Sequence, residues 1–365
     1  MRVESARLDR LTGLRFIAAL AVFVFHGLLF IGGAEWDVVH AVFGQGRSGV
    51  SFFFILSGFV LAWSSRPGDT ILGFYRRRFA RIYPAYLAAL LIAGLLWLIR
   101  DPKGLANGLL TPFLLQSWVP DKHVYFAVNT PAWSLSVEAF FYLMFPFVIA
   151  ALRRLSGRGL WVAGAVAVAV PIALAAMASQ SLNPADLDDG SFTAWAVYYF
   201  PPARLPEFIL GAVLALQFRA GLLPTISWKF AVALAATAYL AAGLWPSAFG
   251  IVALVIVPFA VLIVAAAQRD IAGTHGWLGG RFSVNLGAIS YCFYLVHNIF
   301  IARLAQPGFQ SLGVDEWVGF GIAFVLSFVT AWALHKYVEL PFDRKLGRGA
   351  SLKADATASA PGRPS

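Results

Sequence analysis

The sequence is short of cysteine and of charge. It holds one cysteine, Cys292, and only 13% charged residues in a chain of 365. A single cysteine inside an apolar block excludes a disulfide framework and a thiolate metal site, so no bound metal is expected. Soluble domains carry roughly 25% charged residues, and about half that amount cannot cover a water-facing surface of this size. The period-2 alternation of a membrane β-barrel is missing. No internal repeat is visible along the chain.

What is present is apolar: 59% hydrophobic residues, gathered in long blocks separated by short basic loops. A bilayer crossing needs about 20 mostly apolar residues. In hydrocarbon each backbone N–H and C=O must be paired within its own segment, which selects helices. The expected fold is therefore an all-α polytopic integral membrane protein of about ten transmembrane helices. The spans are expected near 12–32, 48–64, 83–99, 132–152, 160–178, 203–218, 229–245, 248–267, 283–304 and 316–338.

Charge sets the expected orientation. With both termini cytoplasmic, 22 of the 28 Lys and Arg fall on the inside, and the reverse orientation would invert that bias. The same topology accounts for the net charge of +10 without a nucleic-acid partner. Residues 1–346 form the expected membrane domain. The stretch 347–365 is rich in Ala, Ser, Gly and Pro and is expected to be a disordered cytoplasmic tail. The first span has a basic start and small residues at Gly32-Gly33-Ala34. Its length, Arg15 and His26 argue for a retained helix rather than a cleaved signal peptide. The loop 100–131 is itself apolar enough to dip into the membrane or to cap the outer face. The loop 179–200, with Asp186, Asp188 and Asp189, is expected in solvent.

A charged side chain at mid-bilayer costs roughly 2.5–3.5 kcal/mol on insertion scales, so each one needs a reason. Arg15 and His26 are eleven residues apart, which places them on one face of the first helix with a rise of about 16 Å. On the fourth span Ser134, Glu138 and Tyr142 form a stripe at spacing four, and on the ninth Ser290, Tyr294 and His297 form another. By depth, His26, Glu138 and His297 all belong to the outer half, so three helices bring titratable groups to one level. Arg204 and Glu207 at the start of the sixth span are three apart and can simply pair. Arg76, Arg77, Arg78 and Arg81 lie on a basic amphipathic segment before Tyr83-Pro84. Guanidinium forks there suit phosphate, though positive-inside charge and anionic lipid contact account for them as well.

The ordered motifs resemble those of the bacterial membrane-bound acyltransferase-3 family, relatives of O-antigen and exopolysaccharide O-acetyltransferases. They begin with Leu11-Thr12-Gly13-Leu14-Arg15, then His26, then Gly49-Val50-Ser51-Phe52-Phe53-Phe54-Ile55-Leu56-Ser57-Gly58-Phe59. Next come Arg78-Phe79-Ala80-Arg81-Ile82-Tyr83-Pro84 and Trp133-Ser134-Leu135-Ser136-Val137-Glu138. Ser290-Tyr291-Cys292-Phe293-Tyr294-Leu295-Val296-His297 and Glu339-Leu340-Pro341 complete the series, which spans residues 11 to 341. Two positions depart from the pattern: Ala139 stands where relatives often have a second Glu, and Ser51 where an Asp is common.

The resemblance implies an O-acyltransferase in the bacterial inner membrane, with cytoplasmic acyl-CoA as donor, acetyl-CoA the expected one, and no bound cofactor. It implies an acceptor on the far side, read as a hydroxyl of a glycan or lipid-linked sugar. No appended hydrolase-like domain is expected, so transfer is expected to fall to this chain or to a separate partner. The expected roles are His26 as general base, Glu138 orienting the imidazole, and His297 or Tyr294 positioning acceptor or oxyanion. Arg15, Arg78 and Arg81 are expected to hold CoA phosphates, with Ser134, Tyr142, Ser290, Arg204 and Glu207 in support. A covalent acyl-histidine fits the same residues. A proton-coupled transporter of a glycan or small molecule would use the same His and Glu as a relay, but such folds carry repeated halves. Acceptor identity, acyl length and oligomeric state stay open.

Overall fold

The computed structural model describes residues 7–29, 39, 42–66, 68–98, 106–180, 190–245, 249–274, 276–304, 306 and 313–347. Every regular element among them is helical. Ten main helices follow in order: α1 Asp9–Leu28, α2 Gly49–Ser64, α3 Ile71–Leu98, α4 Ala132–Leu152 and α5 Gly157–Ser179. Then come α6 Pro201–Arg219, α7 Trp228–Ala241, α8 Ile256–Ile271, α9 Arg281–Leu304 and α10 Glu316–Leu334. Each expected span corresponds to one of them.

Eight stretches among the described residues are long and apolar enough to cross a membrane. The two that fall short are α6 and the shorter apolar helix Trp228–Leu244. In α6 the cause is Arg204 and Glu207, which are buried inside the bundle rather than facing lipid. The third span differs from expectation in its start. The basic segment before Tyr83 is no separate element: α3 runs unbroken for 28 residues, about 42 Å. That exceeds the roughly 30 Å hydrocarbon thickness, so the helix carries Arg76, Arg77 and Arg78 beyond the core at one end. Pro84 is accommodated inside it.

Helix α2 packs most extensively on α6, and α9 on both α1 and α10. The α2–α6 contact is a close backbone approach. A Cβ at Gly58 would collide with the carbonyl oxygen of Phe208, and one at Gly211 with that of Ile55. Small residues that let membrane helices touch are the expected device where no hydrophobic drive separates helix from lipid. At one end Arg10 ties α1 to α8. Its Nη1 lies 2.8 Å from Asp270 Oδ1, with both side chains buried, and its backbone N–H donates to Oδ2 at 2.9 Å.

The segment 106–131 caps the bundle, one of the two placements expected of it. Tyr86 and Tyr83 on α3 donate to the carbonyls of Thr111 (2.6 Å) and Pro112 (3.1 Å). Gln116 and Ser117 are buried and bonded to the start of α4, to Ala132 O and Trp133 O. Asn129 donates to Leu295 O at 2.8 Å and so fixes the backbone of α9 near its histidine. The expected tail from 348 onward, the acidic triplet at 186–189 and the small residues 32–34 lie outside the described residues.

Candidate active site

Helices α1, α2, α3, α4 and α9 enclose a cavity of about 440 Å³. At one end its wall is basic, with Arg7, Arg15, Arg78 and Arg81; at the other it ends on Ser134, Ser290 and Tyr294. The three arginines expected to hold the donor are thus brought together from α1 and α3. Neither Arg15 nor Arg78 makes a hydrogen bond or ion pair with a described residue. Arg78 has a buried Nε with no partner, and its guanidinium lies 6.0 Å from the Phe74 ring. Arg81 approaches Asp343 only at 4.0 Å. Two of the four clustered arginines are otherwise engaged, Arg77 with Asp69 (3.2 Å) and Arg76 with Leu346 O (3.0 Å).

Beyond the far end of the cavity sit the two histidines. His297 Nε2 lies 3.2 Å from His26 Nδ1, joining α9 to α1. His297 is fully buried and His26 half-buried. Their partners fix the tautomers of the neutral pair. His297 Nδ1 is 2.7 Å from Tyr294 O, and a carbonyl can only accept, so Nδ1 carries the proton and Nε2 the lone pair. His26 Nδ1 is 2.9 Å from Val22 O, so it too carries a proton, shared between that carbonyl and His297 Nε2. The basic nitrogen of His26 is therefore Nε2.

Glu138, expected at the imidazole, is placed elsewhere. Its Oε1 accepts from Ser57 Oγ at 3.1 Å and from the Tyr142 hydroxyl. It lies one helical turn nearer the basic end than Ser134, in the electrostatic field of Arg15. The group of α4 at the histidine end is Ser134, whose Oγ is 2.8 Å from the Tyr294 hydroxyl. Ser290 reaches the cavity wall while donating to Gly287 O at 2.7 Å. Arg204 and Glu207 do pair, at 2.7 Å with both side chains 1% exposed, but they do not line the cavity. The guanidinium also donates to Tyr198 O (3.2 Å) and Ser51 Oγ (3.0 Å), and lies 4.5 Å from the Tyr198 ring centroid. Ser51 thus faces a cation already matched by Glu207.

Residues 8–336 match the family described as an acyltransferase domain, acyltransferase-3. The chain belongs to the acyltransferase-3 family. Acyltransferase MdmB of Streptomyces mycarofaciens is 37% identical over 364 residues, covering 94% of this chain and 93% of that protein. O-acetyltransferase OatA of Staphylococcus aureus is 25% identical over 231 residues, 57% of this chain and 34% of OatA. No solved structure matches. The chain is a multi-pass membrane O-acyltransferase, and the cavity with its histidine pair is where its sequence motifs converge.

Some of this acyltransferase's polar architecture was not foreseen. Ser57 sits within a recognised motif, yet only the fold shows that it faces Glu138. Tyr291 lines the cavity and donates to Ile82 O at 2.9 Å, tying α9 to α3. Glu339 Oε2 lies 2.7 Å from His335 Nδ1 and 3.3 Å from Cys292 Sγ, a group of three potential ligand atoms within 4.8 Å in which His335 is half-buried and the other two are buried. Both contacts are hydrogen bonds onto one carboxylate oxygen, and the group lies in the electrostatic field of Arg15 and Arg81. A second cavity, about 260 Å³, lies between α3 and α4. It shares Arg78, Glu138 and Tyr142 with the first and has Ala139 in its wall, so the missing second acid leaves an apolar surface there.

Proposed function

We propose that this acyltransferase takes an acyl group, acetyl the expected one, from cytoplasmic acyl-CoA and passes it to a hydroxyl of a carbohydrate-type acceptor at the opposite face of the bacterial inner membrane. The observation that carries the donor assignment is the pair Arg15 and Arg78. They are two guanidinium groups without an ion-pair partner among the described residues, turned onto one cavity. Both are half-buried on the cavity wall, and their N–H groups are there to donate to an anionic ligand. A polyphosphate offers the bidentate bonds that would satisfy them. The basic end takes the cytoplasmic side by the distribution of Lys and Arg.

From Arg15 to His26 the rise is about 16 Å, a length the pantetheine arm can bridge with the thioester toward the histidines. His26 Nε2 then takes the proton of the acceptor hydroxyl as its oxygen bonds the thioester carbonyl carbon. The C–S bond breaks, and the proton passes from the imidazolium to the departing thiolate. Base catalysis of this kind contributes about 10²–10⁴-fold. His297 holds His26 in the tautomer whose basic nitrogen is Nε2.

The test is supply of radiolabelled acetyl-CoA to inside-out membrane vesicles carrying wild type or His26→Ala at matched levels, followed by mass spectrometry of the glycan fraction. Label and an acyl mass increment in wild type alone are expected. Acylation equal in both would remove His26 as the base, and acetyl-CoA left untouched by wild type would remove the donor assignment.

A further inference from the structure

The cavity stops short of the histidines, and one side chain stands in between. Tyr294 belongs to the cavity wall, while His26 and His297 do not. Its ring lies 5.5 Å, centroid to centroid, from the His297 ring on one side and 5.9 Å from Phe53 on the other. Its hydroxyl is 2.8 Å from Ser134 Oγ and 3.4 Å from Pro131 O. Ser134 spends its own proton on Pro131 O at 2.9 Å, so Tyr294 is the donor in the bond between them. The ring is thereby latched across the end of the cavity from α9 to α4.

We propose that Tyr294, latched by Ser134, is a barrier that decides the acceptor against water. The inference rests on the donor and base assignments above. The basic end of the cavity carries four arginines and admits water, the most abundant hydroxyl in reach. Were that water continuous with His26 Nε2, the base would deliver it to the thioester. The new C–O bond would then form to water, the C–S bond would break, and free acid and free thiol would leave with no acceptor acylated. A passage open at both ends would also conduct protons, since His26 keeps part of its surface exposed beyond the ring. With the latch closed, thioester and base meet only when the ring turns aside, and seating of the acceptor fills the space behind it.

The experiment uses the full chain in proteoliposomes loaded with a pH-sensitive dye, as wild type, Tyr294→Phe, Tyr294→Ala and Ser134→Ala, each checked for folding by thermal melting. Acetyl-CoA is added without acceptor and free thiol is read; in parallel, a pH step is applied and the dye followed. Wild type should release thiol slowly and hold the gradient. Loss of the one hydrogen bond in Tyr294→Phe and Ser134→Ala should raise acceptor-independent hydrolysis by about two- to tenfold. Tyr294→Ala, which removes the ring as well, should raise it further and dissipate the gradient. Variants that hydrolyse at the wild-type rate and hold the gradient would overturn the barrier. Should wild type release no thiol even with acceptor, the donor reading fails, and the dye arm still decides the barrier on its own.

Discussion

The histidine pair makes a prediction whose size the geometry sets. In His297→Phe an aromatic ring stays among Phe23, Phe293 and Tyr294, but one of the two acceptors of His26 Nδ1–H is gone. That bond is modest in the resting state and strengthens as His26 becomes imidazolium, because hydrogen bonds to charged groups contribute about 1.5–3 kcal/mol. Lost from the transition state alone, this is a fall of about ten- to one-hundred-fold in kcat. It should be smaller than the loss in His26→Ala, because His26 Nδ1 keeps its 2.9 Å bond to Val22 O and is not set adrift. His297→Gln offers an amide oxygen in place of Nε2 and should recover most of the loss. Initial rates of transfer in proteoliposomes, with melting curves to confirm equal folding, provide the assay. His297→Phe within twofold of wild type while His26→Ala is dead would refute the positioning role. A Gln variant no better than Phe would do the same.

Three further outcomes follow from contacts elsewhere. Arg78→Ala removes one unpaired phosphate-binding group and should raise the KM for acyl-CoA by about ten- to one-hundred-fold with little change in KM for the acceptor, while Arg78→Lys recovers part by restoring charge without the fork; titrating donor and acceptor separately checks this. Gly211→Val drives a side chain into the backbone of Ile55 and should sharply lower the melting temperature in detergent. Gly321→Ala, with open space where its Cβ would go, should leave it nearly unchanged. Arg204→Met strands Glu207 at 1% exposure and should cost about 3–5 kcal/mol in unfolding assays, whereas the double change Arg204→Met with Glu207→Leu should restore most of that stability.

The helices were legible because apolar runs of about 20 residues leave the backbone no other choice. The extended start of α3 was not, since Arg76 to Arg81 lower the hydropathy of a segment that is helical all the same. Within the site, spacing identified faces correctly and depth less so. Arg15 and His26 share a face, and His26 meets His297 as their levels required. Glu138 was set too far toward the histidines by about one turn, because level depends on tilt and on where a helix enters, neither of which a sequence records. The group of Cys292, His335 and Glu339 was out of reach for another reason: 43 positions separate the thiol from the imidazole, and no local period links them.

Two arginines, Arg204 and Arg78, separate structure from chemistry. Arg204 is a fully buried cation inside the bundle, Arg78 a half-buried one at its basic end, and charge alone would single out either as functional. Their bonding distinguishes them. Arg204 has Glu207, Tyr198 O, Ser51 and two aromatic faces, so its charge is already answered and a ligand would have to displace those bonds. Arg78 has an aromatic ring and an unpartnered Nε, and it opens onto a cavity. The i,i+3 spacing of Arg204 and Glu207 announced the first case in the sequence itself. Nothing local announced the second, because a missing partner becomes visible only when every neighbouring helix is in place. The same reasoning from partners identifies His26 Nε2 as the basic nitrogen: its Nδ1 carries the proton between Val22 O and His297, so the lone pair is on the atom opposite.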